Sequence, residues 1–276
     1  MYLHHFGLSE LPFGITPDPA FIFAATAHQE ALNTLMVAVH SGESIVKITG
    51  EVGTGKTVLC RRFLAGVGAG VVTAYIPNPN LEPRTLLLAL AEELGVAVDP
   101  AADQYHLLKG LNRALLDHAG AGRAVVLCLD EAQAMPLESL EAVRLLSNLE
   151  TEKRKLLQLV LFGQPELDVK LNDPSVRQIK QRIAFQYRLG VLGREELERY
   201  VAHRLRVAGF RGPRLFSAAA LRKLHYASGG TPRLANILAH KSLLAAFGEG
   251  GELVRRRHMA AAVRDSEGAR RGFLSW

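Results

Sequence analysis

Hydrophobic residues in the first 190 positions follow two alternating patterns. Short apolar runs rich in β-branched residues are typical of strands buried on both faces of a sheet. Segments in which apolar residues recur every three or four positions lie between these runs and are typical of amphipathic helices. The predicted strands are residues 44–49, 71–76, 124–129, 156–162 and 183–189, and the predicted helices are residues 27–40, 58–64, 83–94, 103–119, 137–150 and 175–181. This alternation predicts an α/β domain with a parallel sheet sandwiched by helices.

The strand pattern stops after Gly190, and the rest of the chain shows only helical periodicity. The predicted helices are residues 195–208, 217–227, 232–247 and 255–266. Ser217 is a predicted N-cap, and Gly209 and Gly229 are predicted helix stops. We therefore expect an α/β domain over residues 1–190, which begins with an irregular Pro-containing segment, and a helical domain with a basic tail over residues 191–276.

The composition is that of an ordinary globular protein, with 276 residues, 48% of them apolar and 22% charged. No apolar run approaches the roughly 20 residues that a membrane-spanning helix needs, and the first residues do not have the pattern of a secretory signal. Cys60 and Cys128 are the two cysteines, and both are predicted to be buried free thiols. These features favour a cytoplasmic location over a secreted, disulfide-bonded class of protein.

Positive charge is concentrated in the predicted helical domain. Residues 191–276 contain 16 Lys and Arg against 7 Asp and Glu, a net charge of +9, whereas residues 1–190 contain 17 against 20, a net charge of −3. Such a surface suits nucleic acid, acidic lipid or an acidic protein partner, and it also suits a solvated Arg-rich helical face.

A phosphate loop follows the first predicted strand. Gly50-Glu-Val-Gly-Thr-Gly-Lys-Thr57 matches the pattern G-x-x-x-x-G-K-T between a strand and a helix, where backbone N–H groups and the helix dipole bind phosphate. Lys56 is expected to reach the β- and γ-phosphates, and the Thr57 hydroxyl to bind Mg²⁺. The alternative is an ordinary Gly-rich turn. The predicted nucleotide-binding residues here are Gly50, Glu51, Val52, Gly53, Thr54, Gly55, Lys56, Thr57 and Val58.

The apolar strand at residues 124–129 ends in Asp130-Glu131, which completes a second phosphate-site motif. Asp130 is expected to hold the Mg²⁺ shell, and Glu131 to act as general base on the attacking water. The presence of Glu131 favours hydrolysis over simple nucleotide binding. Taken alone, the pair could also be a surface Asp-Glu at a strand end.

Three further residues are candidates for the reaction. Gln164 follows the next predicted strand and would orient water or sense the γ-phosphate. Arg182 precedes the last strand and would act in trans across a subunit interface. Arg233 begins a helix of the second domain, directly after Pro232, and would couple the γ-phosphate to domain closure. The alternatives are an exposed turn for Gln164 and local carboxylate pairing for each Arg.

These motifs, in this order, resemble those of AAA+ ATPases. The resemblance implies a P-loop NTPase (AAA+) fold with a small helical lid domain, Mg²⁺-dependent ATP hydrolysis and a homo-oligomer, possibly a ring, in the ATP state. It also implies that Gln164 is sensor 1 and Arg233 is sensor 2. ATP is preferred over GTP by resemblance alone, since no guanine-reading Asn-Lys-x-Asp motif is present.

The N-terminal segment, and the segments around Gln164, Arg182 and Arg233, resemble the general secretion pathway protein A (ExeA) family. They are residues 2–13, 16–19, 161–167, 181–183 and 229–237. The resemblance implies work on a type II secretion machine or type IV pilus, with inner-membrane assembly proteins as partners and a cytoplasmic location, possibly peripheral at that membrane. It also places the N-terminal segment near adenine, with Phe13, Gly14 and Ile15 as base-contacting candidates. The alternative for Phe6, Phe13 and Phe21 is that they plug the edge of the core.

The chain departs from longer members of this family, which continue into a membrane span and a peptidoglycan-binding part. It ends at Trp276, as expected of a form similar to MshM of mannose-sensitive haemagglutinin pilus biogenesis or of a truncated longer ATPase. Two alternatives remain. One is a DNA-binding AAA+ regulator similar to transposition ATPases, and the other is a nucleotide-dependent scaffold with little turnover.

Overall fold

The protein is described by a computed structural model that covers residues 2–16, 18–97, 103–150 and 155–271. Pro17 of the N-terminal motif and Trp276 at the chain end lie outside these residues. The strands are β1 (Ile45–Gly50), β2 (Val71–Ile76), β3 (Ala124–Leu129), β4 (Gln158–Gly163) and β5 (Ile183–Leu189). They form one five-stranded sheet in the order β2-β3-β4-β1-β5, and all four strand pairs are parallel. The predicted parallel sheet is therefore confirmed.

Helices connect the strands and make up the end of the chain. They are α1 (Tyr2–His5), α2 (Thr26–His40), α3 (Lys56–Gly66), α4 (Pro83–Glu93), α5 (Gln104–Gly120), α6 (Leu137–Ser147), α7 (Glu166–Lys170), α8 (Arg177–Gln181), α9 (Arg194–Val207), α10 (Ala218–Ser228), α11 (Pro232–Gly248) and α12 (Arg256–Arg264). Two of them, α1 and α7, were not expected, because helices of four or five residues are too short to show periodicity. The segment that was expected to be irregular thus contains α1 and a 3-10 turn at Pro19–Phe21.

The sheet buries both of its faces, which explains why its strands are continuously apolar. In β3, Val125 and Leu127 pack into the core shared with α4, α5 and α6. Val126 and Cys128 point the other way, into the core shared with α2 and α3. Successive side chains of a strand alternate between faces, so a strand between two helical layers must be apolar throughout. Polar residues follow the strand ends, so catalytic and ligand-binding side chains can lie there.

Contacts divide the chain into two compact units. One comprises Ala27–Val52 and Lys56–Leu189, and the other comprises Met1–Thr26, Gly53–Gly55 and Gly190–Trp276. The change of unit at residue 190 lies where the strand pattern ends. The predicted boundaries placed the N-terminal segment in the α/β domain, whereas in the structure this segment groups with the helical unit.

Aromatic side chains explain this grouping of the N-terminal segment. Phe6, Phe13 and Phe21 are 5%, 2% and 6% exposed and lie in the core of the helical unit. Tyr2 also lies in this core, and its hydroxyl is 3.0 Å from Nδ1 of His240 on α11. Burying such rings stabilises the association by about 1.5–3 kcal/mol per side chain.

A buried arginine ties the same segment to α9. The guanidinium of Arg204 donates to the carbonyl oxygens of Pro12 and Gly14 and to the Tyr200 hydroxyl. It also lies over the ring of Phe21, 4.7 Å from its centroid. Arg204 is only 7% exposed, so its charge is satisfied by carbonyl oxygens and aromatic faces.

Several local predictions are confirmed. The Ser217 hydroxyl caps α10 by accepting from the backbone N–H of Ala220, and Gly229 ends this helix at φ 58°. Cys60 and Cys128 are buried free thiols. In the described part of the chain, no helix combines the length and apolar character needed to cross a membrane.

Candidate functional site

The octet at residues 50–57 links the end of β1 to the start of α3. Gly53 and Gly55 have φ of 80° and 98°, a left-handed conformation that a side chain would strain. Gly50, the first residue of the octet, is the last residue of β1 and is not among the described glycines of positive φ. The loop leads into the first turn of an 11-residue helix, where free N–H groups and the helix dipole favour an anion.

Lys56 lies folded over this loop. Its ammonium donates to the carbonyl oxygens of Gly50 at 2.8 Å and Glu51 at 3.1 Å, and the residue is 5% exposed. Burial lowers the pKa of Lys56, and the nearby carboxylates of Glu131 and Asp130 oppose that shift. A cation in this position is well placed to exchange loop carbonyls for phosphate oxygens.

Thr57 and Asp130 meet beside the loop. The Thr57 hydroxyl donates to Oδ2 of Asp130 at 2.7 Å, and Asp130 is 2% exposed. Burial raises the pKa of Asp130, while the bond from Thr57 opposes it. The Tyr75 hydroxyl lies 3.5 Å from the same oxygen, and burial with the Asp130 charge raises the pKa of Tyr75 to about 12. A hydroxyl and a carboxylate are oxygen ligands of the kind that Mg²⁺ prefers, so this pair fits the predicted metal site.

Glu131 is the second residue after β3 and adopts φ 53°, the one positive φ of a non-glycine residue in the described ranges. Its Oε2 accepts from Nε2 of Gln133 at 2.6 Å and from Nε2 of Gln164 at 3.1 Å. Burial raises the pKa of Glu131, but the two amide donors and the Lys56 charge together outweigh burial, and the net pKa is lowered. The carboxylate is thus kept ionised, as a general base must be.

Strand order brings Glu131 and Gln164 together. β3 and β4 are neighbours and parallel, so residues that follow their carboxyl ends share one edge of the sheet. Gln133 joins the same cluster, and its Oε1 accepts the backbone N–H of Gln164 at 2.9 Å. Our sequence reasoning missed Gln133, because the left-handed turn at Glu131 sets its direction and the linear pattern carries no such signal.

The two candidate arginines lie in different surroundings. Arg182 follows α8 and precedes β5, and within the described residues its guanidinium has no hydrogen bond or ion pair. Arg233 is the second residue of α11, and its backbone N–H donates to the Gly53 carbonyl at 3.2 Å, inside one compact unit. A Cβ on Gly53 would lie 2.6 Å from the Cβ of Arg233, so this approach requires glycine.

The three candidate residues for contact with the base, Phe13, Gly14 and Ile15, differ in how buried they are. The Phe13 ring is 2% exposed and packs edge-on against Phe216 at 5.8 Å. Its side chain is therefore part of the core, which corrects the expectation that the ring contacts a base. Gly14 has open space around its Cα, and Ile15 is 62% exposed. These two residues remain candidates for contact with the base.

Comparison with known sequences gives two matches. A family model described as an AAA domain matches residues 39–171. General secretion pathway protein A of Aeromonas hydrophila is 41% identical over 270 residues, which cover 98% of this chain and 49% of that protein. The chain thus spans about half the length of the curated relative that it matches.

Three solved structures are similar to this one in fold. The Aeropyrum pernix ORC2 protein, with ADPNP and ADP, has a TM-score of 0.70 at 18% identity, covering 93% of this chain and 72% of its own. Cdc6p of Pyrobaculum aerophilum has a TM-score of 0.65 at 20% identity, with coverages of 87% and 68%. The RuvB branch migration motor of Thermotoga maritima has a TM-score of 0.58 at 15% identity, with coverages of 93% and 73%. At these identities the likeness concerns the fold, which is the P-loop AAA fold.

Proposed function

We propose that this chain, which has the P-loop AAA fold and a sequence similar to General secretion pathway protein A, hydrolyses ATP to drive assembly of an envelope-spanning machine. The observation that carries the proposal is the placement of two groups at adjacent strand ends. The Thr57–Asp130 pair suits a metal, and the Glu131–Gln164 pair suits a water molecule. Both pairs lie beside a loop whose glycine conformations and lysine suit phosphate.

Bound ATP would supply the phosphoanhydride bond, and bound Mg²⁺ would neutralise charge on its β- and γ-phosphate oxygens. Thr57 and Asp130 are the residues that would hold the metal. Lys56 would release the carbonyl oxygens of Gly50 and Glu51 and donate to phosphate instead. A lysine already desolvated at the loop interacts more strongly with an anion than one in bulk water.

Glu131 would accept a proton from the water molecule that attacks the γ-phosphorus. Its carboxylate is ionised and oriented by two amides, so little reorganisation is needed before proton transfer. Gln164 would orient that water or contact the γ-phosphate. Arg233 would respond to the γ-phosphate from the start of α11, and Arg182 would serve the site of a neighbouring subunit.

The finer role is assembly of a type II secretion machine or a type IV pilus, as in MshM-like ATPases. Its support is the 41% identity to General secretion pathway protein A. We place the protein at the cytoplasmic side of the inner membrane, as a homo-oligomer that contacts inner-membrane assembly proteins. The DNA-binding alternative rests on the net charge of +9 over residues 191–276 and has no further support.

Replacing Glu131 tests the proposed hydrolysis. We expect Glu131→Gln to lower steady-state phosphate release by roughly 100-fold or more, because proton transfer contributes about 10²- to 10⁴-fold to such reactions. Binding of a fluorescent ATP analogue should change by less than about threefold, since Glu131 is not needed to bind phosphate. Glu138→Gln, an exposed carboxylate on α6, is the matched control and should keep the wild-type rate. Equal rates for wild type and Glu131→Gln would contradict the proposal.

A further inference from the structure

Gln133 connects the predicted general base to the neighbouring strand. Its Nε2 donates to Oε2 of Glu131 at 2.6 Å, and its Oε1 accepts the backbone N–H of Gln164 at 2.9 Å. A carboxylate accepts only and a backbone N–H donates only, so a single orientation of the Gln133 amide satisfies both bonds. Nε2 of Gln164 donates to the same Oε2 at 3.1 Å, which closes a cycle through the three residues.

The turn that carries Gln133 is held firmly. Gln133 lies in a 3-10 turn at Ala132–Ala134, directly after Glu131. Lys170 on α7 donates to the backbone carbonyl oxygens of Gln133 and Met135, which anchors the middle and the C-terminal end of this turn. The amide of Gln133 is therefore a fixed donor and not a mobile surface group.

Close packing at the end of β4 supports the same arrangement. A Cβ on Gly163 would lie 2.7 Å from Cδ2 of Leu167 and 3.3 Å from Oε1 of Gln133. The absence of a side chain at Gly163 lets the Gln133 amide approach the strand end, where it meets the N–H of Gln164. The Gln133 side chain thus joins the segment that follows β3 to the segment that follows β4, beyond the last backbone hydrogen bonds between these strands.

The two oxygens of Glu131 have different roles in this cycle. Oε2 accepts both amide donors, while Oε1 has no partner among the described residues. A carboxylate held by one oxygen can present the other to water in a single orientation, which is what a general base requires. If Gln164 leaves Oε2 to contact a phosphate oxygen, the bond from Gln133 still holds Glu131.

We propose that Gln133 is a positioning residue that orients Glu131 through Oε2 and links it to the phosphate-sensing Gln164. The inference rests on the proposed function, in which Glu131 is the general base. Gln133 acts only through Glu131 and Gln164 and does not itself contact the nucleotide.

The variant Gln133→Met keeps nearly the same volume and removes both hydrogen bonds of the amide. We expect its kcat for phosphate release to fall roughly 10- to 100-fold, as for a misplaced catalytic group, with KM for ATP within about threefold of wild type. Gln133→Glu retains an acceptor for the Gln164 N–H but repels Glu131, so its kcat should fall at least as far. Gln104→Met, at an exposed position on α5, is the matched control and should keep the wild-type kcat.

A cycle with Glu131→Gln separates positioning from general destabilisation. If Gln133 acts through the Glu131 carboxylate, Gln133→Met should change the residual rate of Glu131→Gln by less than about twofold. The melting temperature Tm is also measured, without nucleotide, for wild type, the two single variants and the double variant. Gln133→Met should lower Tm more in the wild-type background than in the Glu131→Gln background, because there the charge-assisted bond to the carboxylate is already replaced by a weaker bond to a neutral amide oxygen.

The outcomes distinguish the two proposals. If wild type releases phosphate no faster than Glu131→Gln, the proposed hydrolysis is wrong. The Tm values of the four proteins would still show whether Gln133 is hydrogen-bonded to Glu131. If wild type is active but Gln133→Met matches it in kcat, the positioning role is overturned. Additive Tm changes, or a rise in KM with unchanged kcat, would also overturn that role.

Discussion

Asp130 and Glu131 are adjacent in the chain, yet their carboxyl groups have opposite surroundings. Asp130 is buried beside Thr57, and burial raises its pKa. Burial also acts on Glu131, but the amide donors of Gln133 and Gln164 and the Lys56 charge together outweigh it and lower its pKa. Two neighbouring carboxylates can serve different roles when their environments differ in this way. In the proposed function, Asp130 would hold a cation and Glu131 would accept a proton.

Gly53 offers a test at the residue scale. Gly53→Ala introduces a Cβ 2.6 Å from the Cβ of Arg233, at a φ of 80°. Gly68→Ala is the matched control, because Gly68 has φ 89° but nothing within 4 Å of its added Cβ. Both changes carry the left-handed strain of about 1–2 kcal/mol, whereas only Gly53→Ala also forces the loop and the start of α11 apart.

We therefore expect Gly53→Ala to weaken binding of a fluorescent ATP analogue roughly tenfold or more, a loss of about 1.4 kcal/mol. Gly68→Ala should leave that affinity within about twofold. Titration of nucleotide into both variants measures the difference. Similar affinities for the two variants would show that the contact between Gly53 and Arg233 has no bearing on the phosphate loop.

At the scale of elements, the N-terminal segment is held by side chains and not by regular backbone pairing. Phe6, Phe13 and Phe21 fill the core of the helical unit, and Arg204 on α9 satisfies the carbonyl oxygens of Pro12 and Gly14. Asn236 on α11 also donates to the Gly14 carbonyl, at 3.4 Å. A segment without a ladder of its own depends on these few anchors.

Removal of the Arg204 guanidinium should release this segment. Arg204→Met keeps much of the apolar contact but leaves the Pro12 carbonyl oxygen without its donor, at a cost of about 1–3 kcal/mol, and leaves the Gly14 carbonyl only the Asn236 amide. We expect faster amide hydrogen exchange over residues 12–16 and 18–21 and a lower Tm. Arg206→Met, an exposed position on the same helix, is the matched control and should change neither. Unchanged exchange in Arg204→Met would contradict this anchoring role.

At the scale of the whole molecule, β5 forms one edge of the sheet and is partly exposed. β5 pairs only with β1, and its burial alternates along the strand, unlike the fully buried β1 and β4. Arg182 lies at the start of this edge strand, is partly exposed and has no hydrogen bond or ion pair among the described residues. Its charge contributes to the lowered pKa of Glu150, so it has an acidic neighbour. A guanidinium at an accessible edge is suited to reach the phosphate site of another subunit.

Mixing of two inactive variants tests this trans role. Lys56→Ala should abolish nucleotide binding in its own subunit but keep Arg182, whereas Arg182→Ala should keep its own phosphate loop. If Arg182 acts in trans, mixed oligomers should regain phosphate release, up to roughly a quarter to a half of the wild-type rate if subunits mix at random in ATP and Mg²⁺. Sedimentation of the mixture verifies that mixed oligomers form. Mixed oligomers without regained activity would exclude a trans role for Arg182.

The sequence by itself determined the secondary structure of the core and the two phosphate-site motifs. Apolar periodicity is set by neighbours a few positions apart, so β3, α5 or α11 could be predicted from the chain alone. The octet at residues 50–57 and Asp130-Glu131 are also contiguous, and the parallel order of β3 and β4 made Gln164 a reasonable partner. Helices as short as α1 and α7 have too few residues to show a period.

Only the tertiary structure decided which distant groups meet. The N-terminal segment belongs to the helical unit because its aromatic rings are buried in the core of that unit. Arg204 also donates to the carbonyl oxygen of Pro12, a residue 192 positions away in the chain. Gln133 reached Glu131 and Gln164 because a left-handed residue turns the chain at the edge where two parallel strands end. Such meetings depend on strand order, backbone direction and the packing of remote side chains, and local sequence encodes none of these on its own.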